Sequence, residues 1–258
     1  MSWNVNGIRA VMKKDFLDIM RAEQPDILCL QETKAFFHQM PKEMQLLEFP
    51  DVCWHTGERA GYAGTAVLSN GKWVRHENTF EHSVKFHEHG RVTEVELPDQ
   101  VLLLNCYFPN GGARANGQEM LTYKLWFYDD MAEYLKLKQS QWYEIIITGD
   151  FNICHTEIDI ARPKENQNSI GFLPVERQRI GDFMEECGLT DVYRHFHPDR
   201  LDEYTWWSYR SAARARNVWR RIDYFMVSEG LLDKVTAFRH RQDIMWSDHC
   251  PVEMEIDL

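Results

Sequence analysis

Three stretches of this chain are apolar almost without alternation: "DILCL" (Asp26 to Leu30), "VLLLNCY" (Val101 to Tyr107) and "EIIIT" (Glu144 to Thr148). A strand with one wet face alternates between apolar and polar residues, so continuous runs of this length belong to strands covered on both faces. They demand a layered structure. Half-exposed strands are expected at "GTAVLS", "RVTEVEL" and Pro251 to Leu258, where Val252, Met254 and Ile256 oppose Glu253, Glu255 and Asp257. Helical spacing marks three segments: Gly7 to Arg21 (Ile8, Met12, Phe16, Ile19), Gly117 to Leu137 (Leu121, Leu125, Tyr128, Ala132, Leu135) and Pro174 to Cys187 (Ile180, Phe183, Met184). Each offers one apolar face to cover a sheet. The natural architecture is α/β, with two sheets packed face to face and helices outside.

No repeat, low-complexity tract or linker interrupts the 258 residues, so residues 1–258 are expected to form a single domain. The start "MSWNVNGIRA" lacks the apolar run of a secretory signal, and no segment approaches the roughly 18 apolar residues of a membrane span. A soluble cytoplasmic protein is the expectation, with no membrane partner. Six cysteines without C-x-x-C pairing, several inside apolar runs, read as free buried thiols. A net charge of -11 argues against indiscriminate coating of nucleic acid and leaves room for a local basic surface.

The buried strands end in polar residues that a core would not select. The first ends in Gln31 and Glu32, the second runs into Tyr107 and Asn110, and the third into "GDFN" with Asp150 and Asn152. Alternation lets Asp150 and Asn152 face the same way, as can Asn4 and Asn6. Strand ends converge at one rim of a layered fold, where active sites sit. In "RIDYFMV", Asp223 shares a face with Phe225 and Val227, so its carboxylate needs a partner or a proton. His249, in "SDHC" ahead of the closing strand, suits it. An Asp on one ring nitrogen fixes the tautomer and aims the other nitrogen at a substrate. Glu32, Asp150 and Asp248, with Asn6 and Asn152, form an oxygen-rich set that suits Mg2+, with Mn2+ as a substitute. Such a metal neutralises phosphate charge and stabilises a leaving oxygen, so the set reads as a phosphodiester hydrolase.

Taken singly, these residues also fit bland roles: Glu32 a strand cap, "GDFN" a turn, Tyr107 core. Their joint occurrence favours the hydrolase. "YTWWSYRSAARARNVWRR" carries Arg210, Arg214, Arg216, Arg220 and Arg221 with Tyr204, Trp206, Trp207, Tyr209 and Trp219 and no acid, which suits a polyanion-docking surface. Its alternative is a loop whose tryptophans plug a sheet edge. The aperiodic stretch "CHTEIDIARPKENQNSIGF" is long enough to be functional, and Asn166 and Asn168 in it are phosphate contacts or surface turns. His82, His87 and His89 lie in a polar loop and read as solvated rather than metal-binding.

"SWNVNGIRA", "PDILCLQETK", "GYAGTAVLS", "YFPNG", "GDFNICHTEIDIARPKEN", "GFLPVERQ", "YTWWSYR", "RIDYF" and "SDHCP", in order along nearly the whole chain, resemble exonuclease III-type abasic-site endonucleases of the endonuclease/exonuclease/phosphatase superfamily. The resemblance implies a four-layer α/β sandwich of two packed mixed sheets flanked by helices. It also implies Mg2+-dependent cleavage on the 5′ side of an abasic sugar in double-stranded DNA, leaving 3′-hydroxyl and 5′-deoxyribose phosphate. Removal of blocked 3′ termini and 3′-5′ exonuclease activity accompany it, in a monomer that is nucleoid-associated, or nuclear in a eukaryote. By position, Asn6 and Glu32 bind metal with Asp248 close by, and Asp150 activates the water or joins the metal. Asn152 and Tyr107 hold the phosphate, His249 stabilises its charge, and Asp223 orients His249. Asn4, Asn110 and Asn166 support these contacts, while Arg210, Arg214, Arg220, Trp206 and Trp219 face DNA. The chain departs from the family where Trp219 and Arg220 replace glycine and tryptophan and where Ser169 replaces an asparagine. The competing readings are an inositol- or lipid-phosphate phosphatase of the same superfamily and a DNA-binding relative without catalysis.

Overall fold

A computed structural model of the protein describes residues 1–40, 42–47, 49–71, 73, 75–77, 89–112, 117–209 and 212–258. Its strands are β1 (Ser2–Asn4), β2 (Ile27–Gln31), β3 (Asp51–His55), β4 (Thr65–Ser69), β5 (Arg75–Glu77), β6 (Val92–Leu97), β7 (Val101–Tyr107), β8 (Glu144–Asp150), β9 (Leu189–Asp191), β10 (Asp223–Ser228), β11 (Val235–His240) and β12 (Val252–Ile256). They form two six-stranded sheets, in the orders β11-β12-β1-β2-β4-β3 and β5-β6-β7-β8-β10-β9. Both sheets are mixed: β1 with β2 and β7 with β8 run parallel, and the other paired neighbours run antiparallel. The helices are α1 (Ile8–Val11), α2 (Phe16–Glu23), α3 (Gly117–Ser140), α4 (Pro163–Asn166), α5 (Pro174–Glu186), α6 (Val192–Phe196) and α7 (Glu229–Leu232).

The three continuous apolar runs became β2, β7 and β8, near the middle of their sheets. Alternate residues of these strands enter different cores. Cys29, Leu103 and Ile146 meet between the sheets with Val67, Val95, Phe225 and Val252. Leu28 and Leu30 face outward onto Ile8, Val11, Phe16 and Met20 of α1 and α2. Leu102, Leu104, Ile145 and Ile147 face the other way, onto Phe127, Tyr128 and Met131 of α3 and Ile180 and Phe183 of α5. The result is four layers, helix on sheet on sheet on helix.

Two expectations are corrected. "GTAVLS" and "RVTEVEL" read as half-exposed, yet every residue of β4 and all but one of β6 are buried. Their polar positions face inward and are satisfied there: Thr65 and Thr93 share a hydroxyl hydrogen bond of 2.7 Å across the two sheets, and Glu94 accepts from Tyr134 at 2.6 Å. The helical period over Gly7 to Arg21 is split into α1 and α2, because the chain tightens where the Lys14 amide donates to the Val11 carbonyl. Both pieces bury their apolar residues in one cluster, so the period survives the break.

At Gly149 (φ 132°) a Cβ would lie 1.9 Å from the Cys106 carbonyl oxygen, so only glycine lets β8 pass β7 just before Asp150. All six cysteines are free and buried, as expected. None of the helices among the described residues is long and apolar enough to cross a membrane.

The arginine-aromatic stretch is divided: Tyr209 and Arg216 are exposed, as a docking surface requires, while other members are consumed inside. Tyr204 and Trp207 are buried. Arg221 is fully buried; it binds Asp159 at 2.7 Å and Asp191 at 2.6 Å, and its guanidinium stacks 4.3 Å from the Tyr224 ring. Burial alone would raise the Asp159 pKa, but Arg221 and Arg194 hold it far below the usual carboxylate range. Arg221→Met should therefore leave two carboxylates short of a partner and cost about 3–5 kcal/mol in urea unfolding at neutral pH. A depressed folded pKa stabilises above the unfolded value, near 4, and that contribution is lost as pH falls. The wild-type advantage should accordingly shrink in acid.

Candidate active site

Strand ends from both sheets supply one pocket. In the second sheet Tyr107, Asp150 and Asp223 are paired across β7, β8 and β10, so their side chains stand in a row. In the first sheet Asn4 is paired with Gln31, and Glu32 and Asn6 follow where β2 and β1 end. Asn6 (φ 46°), Glu32 (φ 50°) and Asn152 (φ 56°) each take the left-handed conformation and swing the chain out of its strand. Asparagine tolerates this readily, whereas for Glu32 it is a cost borne at the site. Asn152 is stabilised in its turn because its amide donates to Asp150 Oδ1 at 2.9 Å.

The two sheets are joined at this rim by Asn4, whose buried amide donates to Glu32 Oε1 at 3.0 Å and to Asp150 Oδ2 at 2.9 Å. His249 enters from the loop before β12. Its Nδ1 donates to Asp223 (2.9 and 3.1 Å), and its Nε2 stands 3.8 Å from Asp150 Oδ2. Thr205 backs Asp223, donating to Oδ2 at 2.6 Å while accepting from the Ile222 and Asp223 amides. Asp248 accepts from Asn6 at 2.9 Å and from the Trp206 indole at 3.0 Å. The cavity between these groups is about 250 Å³, and Asn110, Ile170, Gly171, Arg220 and Ile222 complete its wall.

The electrostatics are those of crowded buried acids. Burial raises the Asp150 pKa, the imidazolium of His249 opposes that rise, and the charges of Asp223 and Glu32 add to it, so Asp150 keeps affinity for a proton. For His249 burial favours the neutral ring, but Asp223 and Asp150 outweigh it and hold the ring protonated. Asp248 goes the other way: His249, Trp206 and Asn6 overcome its burial and keep it ionised. Tyr107 hydrogen-bonds to Glu32, and burial followed by that carboxylate raises its phenol well above its ordinary value.

A divalent ion fits the donor set. Glu32 and Asp150 bring carboxylate oxygens within 4.8 Å of one another, and Asn6 and Asp248 line the same pocket, while the protonated His249 ring stands beside them without a free lone pair for a metal. A cation already rests on two of these groups: the Lys34 ammonium bonds Glu32 Oε2 at 2.6 Å and also Asn6 Oδ1. Oxygens that converge on an ammonium suit a hard metal ion equally.

Of the residues singled out in the sequence, Asn6, Glu32, Asn110, Asp150, Asn152, Trp206, Arg220, Asp248 and His249 line the pocket. Asn4, Tyr107 and Asp223 touch its members from behind. Trp219 packs edge-on against Trp206, with ring centroids 5.5 Å apart. Asn166 is not brought in: its amide donates to the Ala161 and Arg162 carbonyls, and the loop reaches the pocket instead through Ile170 and Gly171. Nor is Arg214, which donates to the carbonyls of Ser247 (2.9 Å), Gln242 (3.2 Å) and Ile244 (2.6 Å) and so braces the loop that carries Asp248. Arg220 points into the wall by donating to the Ile170 carbonyl at 2.5 Å, and Gly171 (φ 86°) leaves room for it. Arg210, His82 and His87 lie outside the described residues.

Sequence reasoning missed Lys34, Thr205 and Lys124. Fully buried Lys124 donates to the carbonyls of Asn110 (3.3 Å) and Asn152 (2.8 Å) and to Glu176 at 2.5 Å, tying both pocket asparagines to α3 and α5. The signal was present: a lysine three residues from Leu121 and four from Tyr128 lies on the apolar face of its helix.

Residues 1–249 match the model of the endonuclease/exonuclease/phosphatase family. The chain is 40% identical over 260 residues to an exodeoxyribonuclease of Bacillus subtilis, with 100% of this chain and 99% of the relative covered. It is also 40% identical over 263 residues to a DNA-(apurinic or apyrimidinic site) endonuclease of Dictyostelium discoideum, covering 100% of this chain and 70% of the relative. Among solved structures it resembles the AP endonuclease LMAP of Leishmania major, with a TM-score of 0.86 and 30% identity over 98% of this chain and 85% of that one.

The Asp223–His249 geometry makes a directional prediction. Asp223→Asn removes the larger of the two charges that keep His249 protonated, so the imidazole should lose its proton at lower pH. Ring-proton NMR should show this, and the alkaline limb of the pH–rate profile should move to lower pH, with turnover down about 100-fold or more. An unmoved limb would sink the assignment.

Proposed function

The chain belongs to the endonuclease/exonuclease/phosphatase family, and from that premise we propose that it is a DNA-repair nuclease hydrolysing the phosphodiester 5′ to an abasic site. The observation that carries this reading is the meeting of Asp150, the Asp223–His249 pair and the Glu32–Asn6 oxygens in one pocket. Nucleases among its relatives, acting on abasic sites in one case, support the substrate. In this reading residues 1–258 act as one catalytic domain in a monomer.

In this reading Asn152 and Asn110, held together by a 3.0 Å hydrogen bond and braced by Lys124, take the target phosphate through their amides. Asp150, with its raised proton affinity, takes a proton from the attacking water. His249 Nε2 donates to a non-bridging phosphate oxygen, and its positive charge, backed by Asp223, offsets the charge that builds on phosphorus. The new bond joins the water oxygen to phosphorus, the bond to the 3′-oxygen breaks, and that oxygen takes a proton from solvent. The products are a 3′-hydroxyl and a 5′-deoxyribose phosphate. Trp206, Ile170 and Ile222 give the cavity an apolar side that accepts a sugar without its base. The same centre serves removal of blocked 3′ ends and 3′-5′ exonuclease action, which need the same bond cleaved at a terminus.

Glu32 and Asn6, with Asp248 and Asp150 close by, would hold Mg2+ or Mn2+, displacing Lys34. Such an ion supplies charge neutralisation at the phosphate and stabilises the departing oxygen.

Duplexes with and without one abasic analogue, incubated with Mg2+ or with EDTA, test the proposal. Metal-dependent incision only at the lesion is expected. Phosphate release from inositol phosphates with no DNA cleavage would overturn it in favour of the phosphatase, and binding without cutting would favour a non-catalytic relative. His249→Ala should reduce turnover by about 10²–10⁴ with little change in duplex affinity. Glu32→Gln should raise the Mg2+ concentration needed for half-maximal activity, and calorimetric titration should show the matching loss of metal affinity.

A further inference from the structure

Immediately before Ser247–Asp248–His249, Trp246 adopts φ 87°. This left-handed conformation is natural for glycine and costly for a bulky side chain, and such outliers persist where the surroundings over-determine them. They do so here. Arg214 holds the carbonyls of Gln242, Ile244 and Ser247, the Ser247 hydroxyl donates to the Asn4 carbonyl at 2.7 Å, and Lys14 donates to the Trp246 carbonyl at 3.2 Å. The strain does not secure a well-buried ring. Trp246 remains 42% exposed, and its neighbour Met245 is 46% exposed.

The flank of this aromatic edge is basic. Lys14 stands 5.3 Å over the indole, and exposed Arg9 and Lys13 precede it, with Asp15 the first acid of the segment. A side of this kind is unusual in a chain of net charge -11. An exposed indole next to cations suits a strand of nucleic acid, whose sugars and bases take the ring while its phosphates take the ammonium groups. Asp248, two residues further on, lines the pocket, so this exposed edge is joined directly to the catalytic rim.

We propose that Trp246, with Met245 and Lys14, forms a second DNA contact beside the catalytic pocket: the indole packs on sugar or base of the bound duplex and Lys14 meets its backbone. The inference rests on the proposed action on DNA.

Trp246→Gly is the informative variant, because glycine keeps the backbone conformation and removes only the ring. Fluorescence anisotropy with a labelled abasic-analogue duplex in EDTA separates binding from cleavage. Trp246→Gly should raise Kd roughly fivefold or more, the lower end of one stacking contact. Trp246→Phe should recover most of the loss. Lys14→Gln should flatten the slope of log Kd against log salt by about one, which Trp246→Gly should not. Wild-type affinity in Trp246→Gly would overturn the contact and leave the nuclease reading intact if the wild type still incises. Weakened binding in a wild-type background that never incises would sink the nuclease reading and keep the contact. A wild type that binds no duplex would remove both.

Discussion

The position of one sheet on the other depends on a seam of buried polar side chains. Gln31 donates to Asn105 at 2.6 Å, Asn105 donates back to the Leu30 and Ala66 carbonyls, Thr65 meets Thr93, and Asn4 reaches Asp150. Each hydrogen bond is worth only about 1 kcal/mol net, but leaving such a group unpaired costs about 1–3 kcal/mol. Sliding one sheet past the other would orphan several at once. An apolar interface would tolerate neighbouring registers; this seam penalises them. It lies directly beneath the pocket, so the constraint that aligns the sheets also brings Glu32 of one to Asp150 of the other.

The pocket works against the stability of the fold that carries it. Glu32, Asp150, Asp223 and Asp248 crowd together, and the protein offsets them with the His249 imidazolium and the Lys34 ammonium. Left-handed backbone at Asn6, Glu32 and Asn152 adds strain. These features conflict with the preference of an interior for paired charge and relaxed backbone, and they coincide with the chemistry assigned to the site. A metal ion and a phosphate would relieve much of the conflict, which makes substrate binding a stabilising event for this rim.

Several basic residues in this chain position loops. Lys124 holds the two pocket asparagines, Arg214 holds the loop before Asp248, Arg220 holds Ile170, and Arg221 anchors the long loop through Asp159. Bare carbonyls at loop bends need donors, and a guanidinium can serve several at once. The cost is that a cation spent on carbonyls is withdrawn from DNA. Lys14 and Arg9 also donate to carbonyls, those of Trp246 and Lys34, but unlike the buried cations both remain exposed.

The order and type of the central elements were legible in the sequence because continuous apolar runs and helical spacing record burial locally. "VLLLNCY" gave β7 residue for residue, and the resemblance carried by "GDFN" and "SDHC" named groups that the fold brings to one rim. The same local signal misread β4 and β6, whose threonines and glutamate are buried against partners from distant elements. It also counted Arg214 and Arg221 as surface cations. By itself the sequence determined the layers, the core strands and the acids at their ends. Only the tertiary structure decided which polar side chains face solvent and which are consumed inside, because a long side chain's destination is set by whichever unpaired carbonyl or carboxylate lies within reach, and such partners here come from far along the chain.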